Sequence, residues 1–397
     1  MTMDTFQSVL RTDIQLGAPL PYSIYDKTGM LLLRAGFTIN LERHLEVLLE
    51  KGLYYRPEDA AAARMRSNNG KSLVGHGGLT AASEAQNAFE ALDIAKIRLL
   101  RLFEQVRKGQ NLDDFLSRVE SIALTVQEAC THDTDAALAN LHLDYDNSYA
   151  IVHHMQAALL CELMGKKLNV KEEARLTLIK AALTHDLGLI DIQDMLDRQT
   201  APLTTEQKER INNHPLDSAQ RLQEVGVTDP VWLDVVRHHH ERLDGSGYPD
   251  HIQADAIGIP TRILAIADIY SAMVRDRPYR KALVSKEVMR NLLLEQGSKT
   301  DTRLIQMMIK EIGVFPPGAI VRLVNGEISV VKQRQENSAF PIVYSFFRNG
   351  MPMLSPLRRE TATAEFNVDG IVPFSDYRGC VALLRNLWLD FKYRKAA

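Results

Sequence analysis

The stretch His238–Pro249 reads His-His-His-Glu-Arg-Leu-Asp-Gly-Ser-Gly-Tyr-Pro. Three adjacent imidazoles stand beside two carboxylates and a Gly-Ser-Gly-Tyr-Pro turn. Imidazole is a preferred donor for zinc, iron and manganese. A glycine-rich turn lets the backbone approach a ligand closely. The chemistry this pattern suits is therefore a metal centre under a shaped loop. The plainer reading is a His-rich helix end in water, since a local histidine tract is only compositional evidence of metal binding.

Other residues of the same kind recur upstream and downstream. His153-His154 sit in the helical pattern Ser148–Lys167. His185-Asp186 close the apolar run Ala181–Ile190, and Asp268 interrupts the apolar run Ile263–Tyr270. A carboxylate in an apolar run is costly to bury unless it is paired or ligated. His214 precedes Pro215. Each histidine alone is more often a hydrogen-bonded core residue than a ligand. Together they fall in or beside helices of one segment, and bundles build metal sites from ligands on several helices.

Those helices must come from residues 83–310, where the apolar spacing is helical almost throughout. Ala91–Gln105 carries Leu92, Ile97, Leu99, Leu100 and Phe103 on or near one face. Leu112–Cys130 continues with Phe115, Val119, Ile122, Ala123 and Val126. These stripes read as core, or as a connection that supports a homodimer. Ahead of them, residues 1–62 read as a small α+β module. Pro21–Tyr25 and Met30–Arg34 flank the turn Asp26–Gly29 as a hairpin. A helix follows, capped by Asn40, with Leu41, Leu45, Leu48 and Leu49 on one face and Gly52 at its stop. Residues 63–82 form a linker, Ser-, Asn- and Gly-rich from 66 onward. From 311 to 397 the character turns β-rich: Phe315-Pro-Pro-Gly318 breaks the chain, and Asn325-Gly326 joins two strand-like runs as a hairpin.

The totals narrow the function classes. The chain has 397 residues, 45% hydrophobic and 24% charged, which suits two or three globular domains. A net charge of −3 argues against binding nucleic-acid polymers. Cys130, Cys161 and Cys380 form no C-x-x-C pair, which fits a reducing compartment. Neither a signal peptide nor an apolar run of about 18 residues is evident. A cytoplasmic protein without a membrane span is expected.

Residues from about 140 to 330 resemble the HD-GYP family of phosphodiesterases. The matching text is His185-Asp186-Leu-Gly188, His214, His239–Pro249, Ala267-Asp268 and Arg277-Pro-Tyr-Arg280. The Phe315–Gly318 turn and the hairpin after it also resemble that family's usual C-terminal extension. The resemblance implies a mainly α fold: a helical HD-GYP bundle with the small N-terminal module and a short β-rich C-terminal extension. It implies hydrolysis of cyclic di-GMP to linear pGpG, and on to GMP. It further implies two divalent metal ions, iron or manganese first, with zinc, nickel or magnesium as alternatives. The metal ligands it assigns are His153, His185, Asp186, His214, His239, His240 and Asp268. Asp186 would bridge the metals, and His185 and Asp186 would be catalytic. Two metals about 3.5–4 Å apart can lower the pKa of a bridging water and clamp phosphate oxygens. Arg277 and Arg280 would hold phosphate by forked donors. Tyr248 and Gly247 would contact substrate, and Glu241 and Asp244 would orient imidazoles. His153 is favoured over His154, and His238 is placed outside the ligand set.

Two positions depart from the family pattern. Leu189 stands where the family usually carries lysine, and Tyr149 where three-metal members carry glutamate. Losing one donor of transition-state charge can cost about 10²–10³ in rate. The second reading is therefore an HD-GYP module that keeps its metals but acts as a cyclic di-GMP receptor, signalling to protein partners through residues 1–62.

Overall fold

The computed structural model describes residues 6–15, 20–25, 31–33, 53–57, 87–110, 112–144, 147–274, 290–293, 299–349, 351–373, 376–377 and 380–389. The chain divides into two compact units, residues 1–77 and 78–397.

The first unit holds a four-stranded sheet of β1 (Gln7–Ser8), β2 (Ile24–Tyr25), β3 (Leu31–Leu33) and β4 (Tyr54–Tyr55), in the order β1-β4-β2-β3. The expected hairpin is there, antiparallel, with Ile24 opposite Leu33. Val9, Ile14, Leu20, Ile24 and Leu53 form its core. The helix expected after Asn40 and the linker over 63–82 lie outside the described residues.

The described residues of the second unit are mainly helical up to residue 312. Its helices are α1 (Ala88–Arg107), α2 (Phe115–His132), α3 (Thr134–His142), α4 (Tyr149–Lys167), α5 (Glu172–Thr184), α6 (Gln193–Leu196), α7 (Thr205–Glu224), α8 (Pro230–His238), α9 (Ile259–Met273) and α10 (Thr302–Ile312). Local capping sets several boundaries. Asn87 accepts from the Glu90 amide to start α1, and Asp133 accepts from Ala136 to start α3. Thr204 and Gln207 form a reciprocal capping box at α7. Asp229 accepts from Val231 and Trp232, with Pro230 in the first turn of α8.

The α1 stripe is largely the expected one. Leu92, Leu99 and Phe103 are buried, but Leu100 is exposed and Lys96 takes a fully buried place. Lys96 is accommodated because Asp144 and Asp93 accept from its ammonium, Asp93 at 2.9 Å; buried charge is tolerated only when paired. Around this, α4 packs on α5, α9 on α4, and α8 on both α5 and α7. Among the described residues, no helix is long and apolar enough to cross a membrane.

The C-terminal sheet is antiparallel throughout, ordered β8-β7-β6-β5-β9. Its strands are β5 (Ile320–Leu323), β6 (Ile328–Gln333), β7 (Ile342–Arg348), β8 (Met351–Glu360) and β9 (Val368–Ile371). Strand alternation gives it two apolar faces. Ile320, Ile328, Val330, Ile342, Tyr344 and Phe346 join the helical core. Val321, Leu323, Val331 and Val343 form a second cluster with Phe315 and Phe366. A last helix, α11 (Val381–Leu389), brings Trp388 against Phe89 of α1, ring centroids 5.8 Å apart.

Candidate metal centre

The histidines sit where helices leave carbonyls free. His185 follows the last residue of α5, and its Nδ1 donates to the carbonyl of Ala182 at 2.8 Å. His239 follows the last residue of α8, and its Nδ1 donates to Val236 at 2.7 Å. The last turn of a helix has no amide partners for its carbonyls, so imidazoles can take them. His214 lies inside α7, where Pro215 interrupts the ladder, and its Nδ1 donates to Ile211 at 2.5 Å. His153 is anchored differently. Ser271 Oγ, 3.0 Å from His153 Nδ1, gives its own proton to the Asp268 carbonyl and so accepts from the imidazole.

With Nδ1 protonated in all four, each Nε2 presents a lone pair inward. The Nε2 atoms of His153 and His185 are 3.3 Å apart, and those of His214 and His239 are 3.2 Å apart. With every imidazole neutral, lone pairs facing each other at such distances repel, and positive charge between them, a proton or a metal ion, relieves the repulsion. The donor set therefore fits metal ions on chemical grounds.

Two carboxylates complete the arrangement. Asp186 Oδ1 is 3.0 Å from His214 Nε2 and 3.7 Å from His239 Nε2. Its Oδ2 is 3.6 Å from His185 Nε2 and 3.7 Å from His153 Nε2. Asp268 Oδ1 lies 3.1 Å from His153 Nε2, and its Oδ2 lies 3.8 Å from His240 Nδ1. Two groups emerge, each with ligand-type atoms within 4.8 Å of one another: Asp186, His214, His239 and His240; and His153, His185 and Asp268. A third such group is His154, His185 and Asp186.

The electrostatics favour added positive charge. Burial raises the carboxyls of Asp186 and Asp268, but the surrounding imidazoles overcome it and hold both well below the usual carboxylate range. Burial opposes a charge on His185, yet Asp186 and Asp268 hold it at about 9. Burial leaves His239 at about 4 and His154 at about 3, and pushes His240 well down.

Glycine governs how closely the pieces approach. A Cβ on Gly188 would sit 2.6 Å from the His214 carbonyl oxygen, so the turn after Asp186 needs glycine to meet α7. The Gly188 amide donates to Ser218 at 2.8 Å across that contact. A Cβ on Gly247 would sit 2.4 Å from the Glu241 Cα, so the loop closes on itself only with glycine there. This carries Tyr248 onto the His240 ring, centroids 4.8 Å apart. Burial and then Asp268 and Asp186 push the Tyr248 phenol up, so it stays protonated.

The structure thus brings His153, His185, Asp186, His214, His239, His240 and Asp268 together, with Tyr248 at the rim and Gly247 in its loop. Arg277 and Arg280 lie outside the described residues. His238 turns away, between Asp234 and Asp250 at 2.9 Å each. The expectation that Glu241 and Asp244 orient imidazoles is corrected. Glu241 accepts from the Asp250 amide at 2.7 Å and Asp244 accepts from Ser246, so both brace the loop itself. Backbone carbonyls do the orienting instead. Ser271 is the residue that sequence reasoning leaves out, and His154, weighed there against His153, also lies beside the centre. Ser271 lies three places after Asp268, on the same side of α9, which was the available signal. Leu189 is buried, 7% exposed, in the turn after Asp186.

Comparison with known proteins follows the same segment. A family profile described as an HD domain matches residues 133–304. The chain is 27% identical over 254 residues to the "Cyclic di-GMP phosphodiesterase PA4108" of Pseudomonas aeruginosa, covering 64% of this chain and 61% of that protein. It is 32% identical over 175 residues to the "3'3'-cGAMP-specific phosphodiesterase 1" of Vibrio cholerae, covering 44% of this chain and 40% of that protein. It is 27% identical over 204 residues to the "Cyclic di-GMP phosphodiesterase PdeB" of Borreliella burgdorferi, covering 51% and 54%. The chain therefore spans less than two thirds of the length of these relatives. Among solved structures, Bd1817, an HDGYP protein from Bdellovibrio bacteriovorus, superposes with a TM-score of 0.50 at 16% identity, covering 76% of this chain and 98% of that one.

Proposed function

We propose that the chain, whose residues 133–304 match an HD-domain model, is an HD-GYP member and a metal-dependent phosphodiesterase that opens cyclic di-GMP to linear pGpG, with GMP as the product of a second cut. The observation that carries this reading is the division of Asp186, whose two oxygens face separate sets of imidazoles. A carboxylate so placed suits a bridge between two cations.

In this reading His153, His185 and Asp268 hold one divalent ion, and His214, His239 and His240 hold the other, with Asp186 shared. Iron or manganese suits mixed imidazole and carboxylate donors; zinc, nickel and magnesium are the alternatives. Divalent ions bound there supply an activated water at neutral pH and neutralise phosphate charge. The chain's own contributions are orientation and shape. The carbonyls of Ala182, Ile211 and Val236 fix three imidazole tautomers, and Ser271 fixes that of His153. Tyr248, protonated at the rim, offers a hydroxyl donor to a substrate oxygen. Arg277 and Arg280 take the phosphates as forked donors. Residues 1–62 serve as a sensory or docking module; unchanged activity and partner binding after deletion of residues 1–66 would contradict that part.

Leu189 favours a second reading. An apolar, buried side chain stands beside Asp186 in place of a cation. A metal-retaining receptor for cyclic di-GMP needs no charge there. Turnover separates the two. Protein purified without oxygen, loaded with Fe(II) or Mn(II) and given cyclic di-GMP or 3'3'-cGAMP, is expected to release pGpG from the former by chromatography. Tight binding without product supports the receptor, and preference for 3'3'-cGAMP reassigns the substrate.

A further inference from the structure

His153 and His154 are neighbours on α4, so their side chains leave the helix about 100° apart and only one is expected to face a given centre. Both are nevertheless buried, 2% and 3% exposed. His154 is anchored by a backbone carbonyl, as His185, His214 and His239 are. Its Nδ1 donates to the carbonyl of Ala150 at 2.7 Å, one turn back, which leaves a lone pair on Nε2. That Nε2 is buried and has no hydrogen-bond partner. A buried acceptor left bare is costly, so a fold that holds one needs something to occupy it. The surroundings name the occupant. The ligand-type atoms of His154, His185 and Asp186 all lie within 4.8 Å of one another. The His154 and His185 ring centroids are 4.7 Å apart. On its other side the ring meets the edge of Phe103, 4.9 Å away, which offers no donor.

We propose that His154 Nε2 is a further metal ligand, at the corner of the centre formed by His185 and Asp186. The inference rests on the metal-centre reading above and adds an eighth side chain to the seven ligands named there. It makes the site beside Tyr149 richer in nitrogen. Tyr149 stacks on His153, with centroids 5.2 Å apart and rings 15° from parallel.

The test is a Co(II) titration of the full chain, read by calorimetry and by the visible absorption bands of the bound ion. The proteins are wild type, His154→Gln and Asp186→Asn. His154→Gln is expected to weaken one Co(II) site at least about tenfold and to change its bands, while the metal-free protein melts no lower than wild type. Unchanged affinity together with unchanged bands overturns the proposal. Wild type binding no Co(II) overturns the metal-centre reading as well, whereas Asp186→Asn losing metal while His154→Gln does not sinks this proposal alone. Should His154→Gln fail to fold, crystals of the wild-type chain soaked in Mn(II) decide the matter. An anomalous peak at bonding distance from Nε2, roughly 2.0–2.3 Å, supports it, and a water or no peak there overturns it.

Discussion

His214 donates from Nδ1 to the carbonyl of Ile211 at 2.5 Å, and it can do so because Pro215, four residues after Ile211, has no amide to claim that oxygen. The proline inside α7 therefore belongs to the centre as much as to the helix. Pro215→Ala restores an amide aimed at Ile211 and sets it in competition with the imidazole. Metal affinity is expected to fall about tenfold, while the metal-free protein melts at the same temperature or higher. Competition with a chelating indicator and a thermal scan of the same samples measure both. A drop in melting temperature with unchanged affinity would contradict this account.

Ser271 does the same work for His153 from α9. Ser271→Ala removes the acceptor of the Nδ1 proton and frees the ring to flip or to change tautomer. Affinity for Mn(II) is expected to fall about 10–100-fold, with little loss of secondary structure by circular dichroism. Ser271→Thr, which keeps the hydroxyl, is expected to recover most of it.

Leu189 tests the chemistry rather than the binding. If the chain is an enzyme working without the usual cation, Leu189→Lys places an ammonium beside Asp186 and is expected to raise kcat about tenfold or more. KM would move less, because the gain is in transition-state charge. A Leu189→Lys protein with lower kcat and intact metal content would show that this centre uses the apolar side chain.

Glu327 sets a pH dependence in the C-terminal sheet. Its side chain is 2% exposed. Arg359 Nε donates to it at 2.9 Å and Arg348 Nε at 2.8 Å, joining β6, β7 and β8 beside the turn. Burial pushes its carboxyl up, but Arg359, Ser345 and Arg348 reverse this and hold it at about 2. A carboxyl depressed below its unfolded value stabilises the fold above the unfolded pKa and loses that contribution as pH falls through the folded one. The stabilisation, about 1–3 kcal/mol after screening at the exposed Arg348, is thus complete at pH 7 and fades from about pH 5 toward pH 2. The gap in melting temperature between wild type and Glu327→Gln is expected to narrow below about pH 5. A gap independent of pH would contradict it.

Much of this was legible in the chain itself. The spacing of His185-Asp186, His239-His240 and Asp268 in or beside apolar helical runs announced a centre, because a carboxylate there has few other uses. The Asn325-Gly326 hairpin was equally plain. What the sequence could not show was set by packing. Lys96 joins the buried side of α1 because Asp144, 48 residues away, accepts from it. Glu241 and Asp244 looked like partners for imidazoles, but the loop needed them first. His154 carried no signal of its own, since two adjacent histidines on a helix look like one ligand and one bystander until the other helices are in place. Strands β8 and β9 were hidden by polar and proline-bearing text whose pairing only the sheet supplies.

The central claim is that the two oxygens of Asp186 serve two metal positions. Counting metals per chain in wild type and Asp186→Asn, by mass spectrometry after loading with Mn(II) and desalting, tests it most directly. Two ions in wild type and one or none in Asp186→Asn are the result the geometry predicts. A single ion in wild type, or two retained without the Asp186 carboxylate, would contradict it.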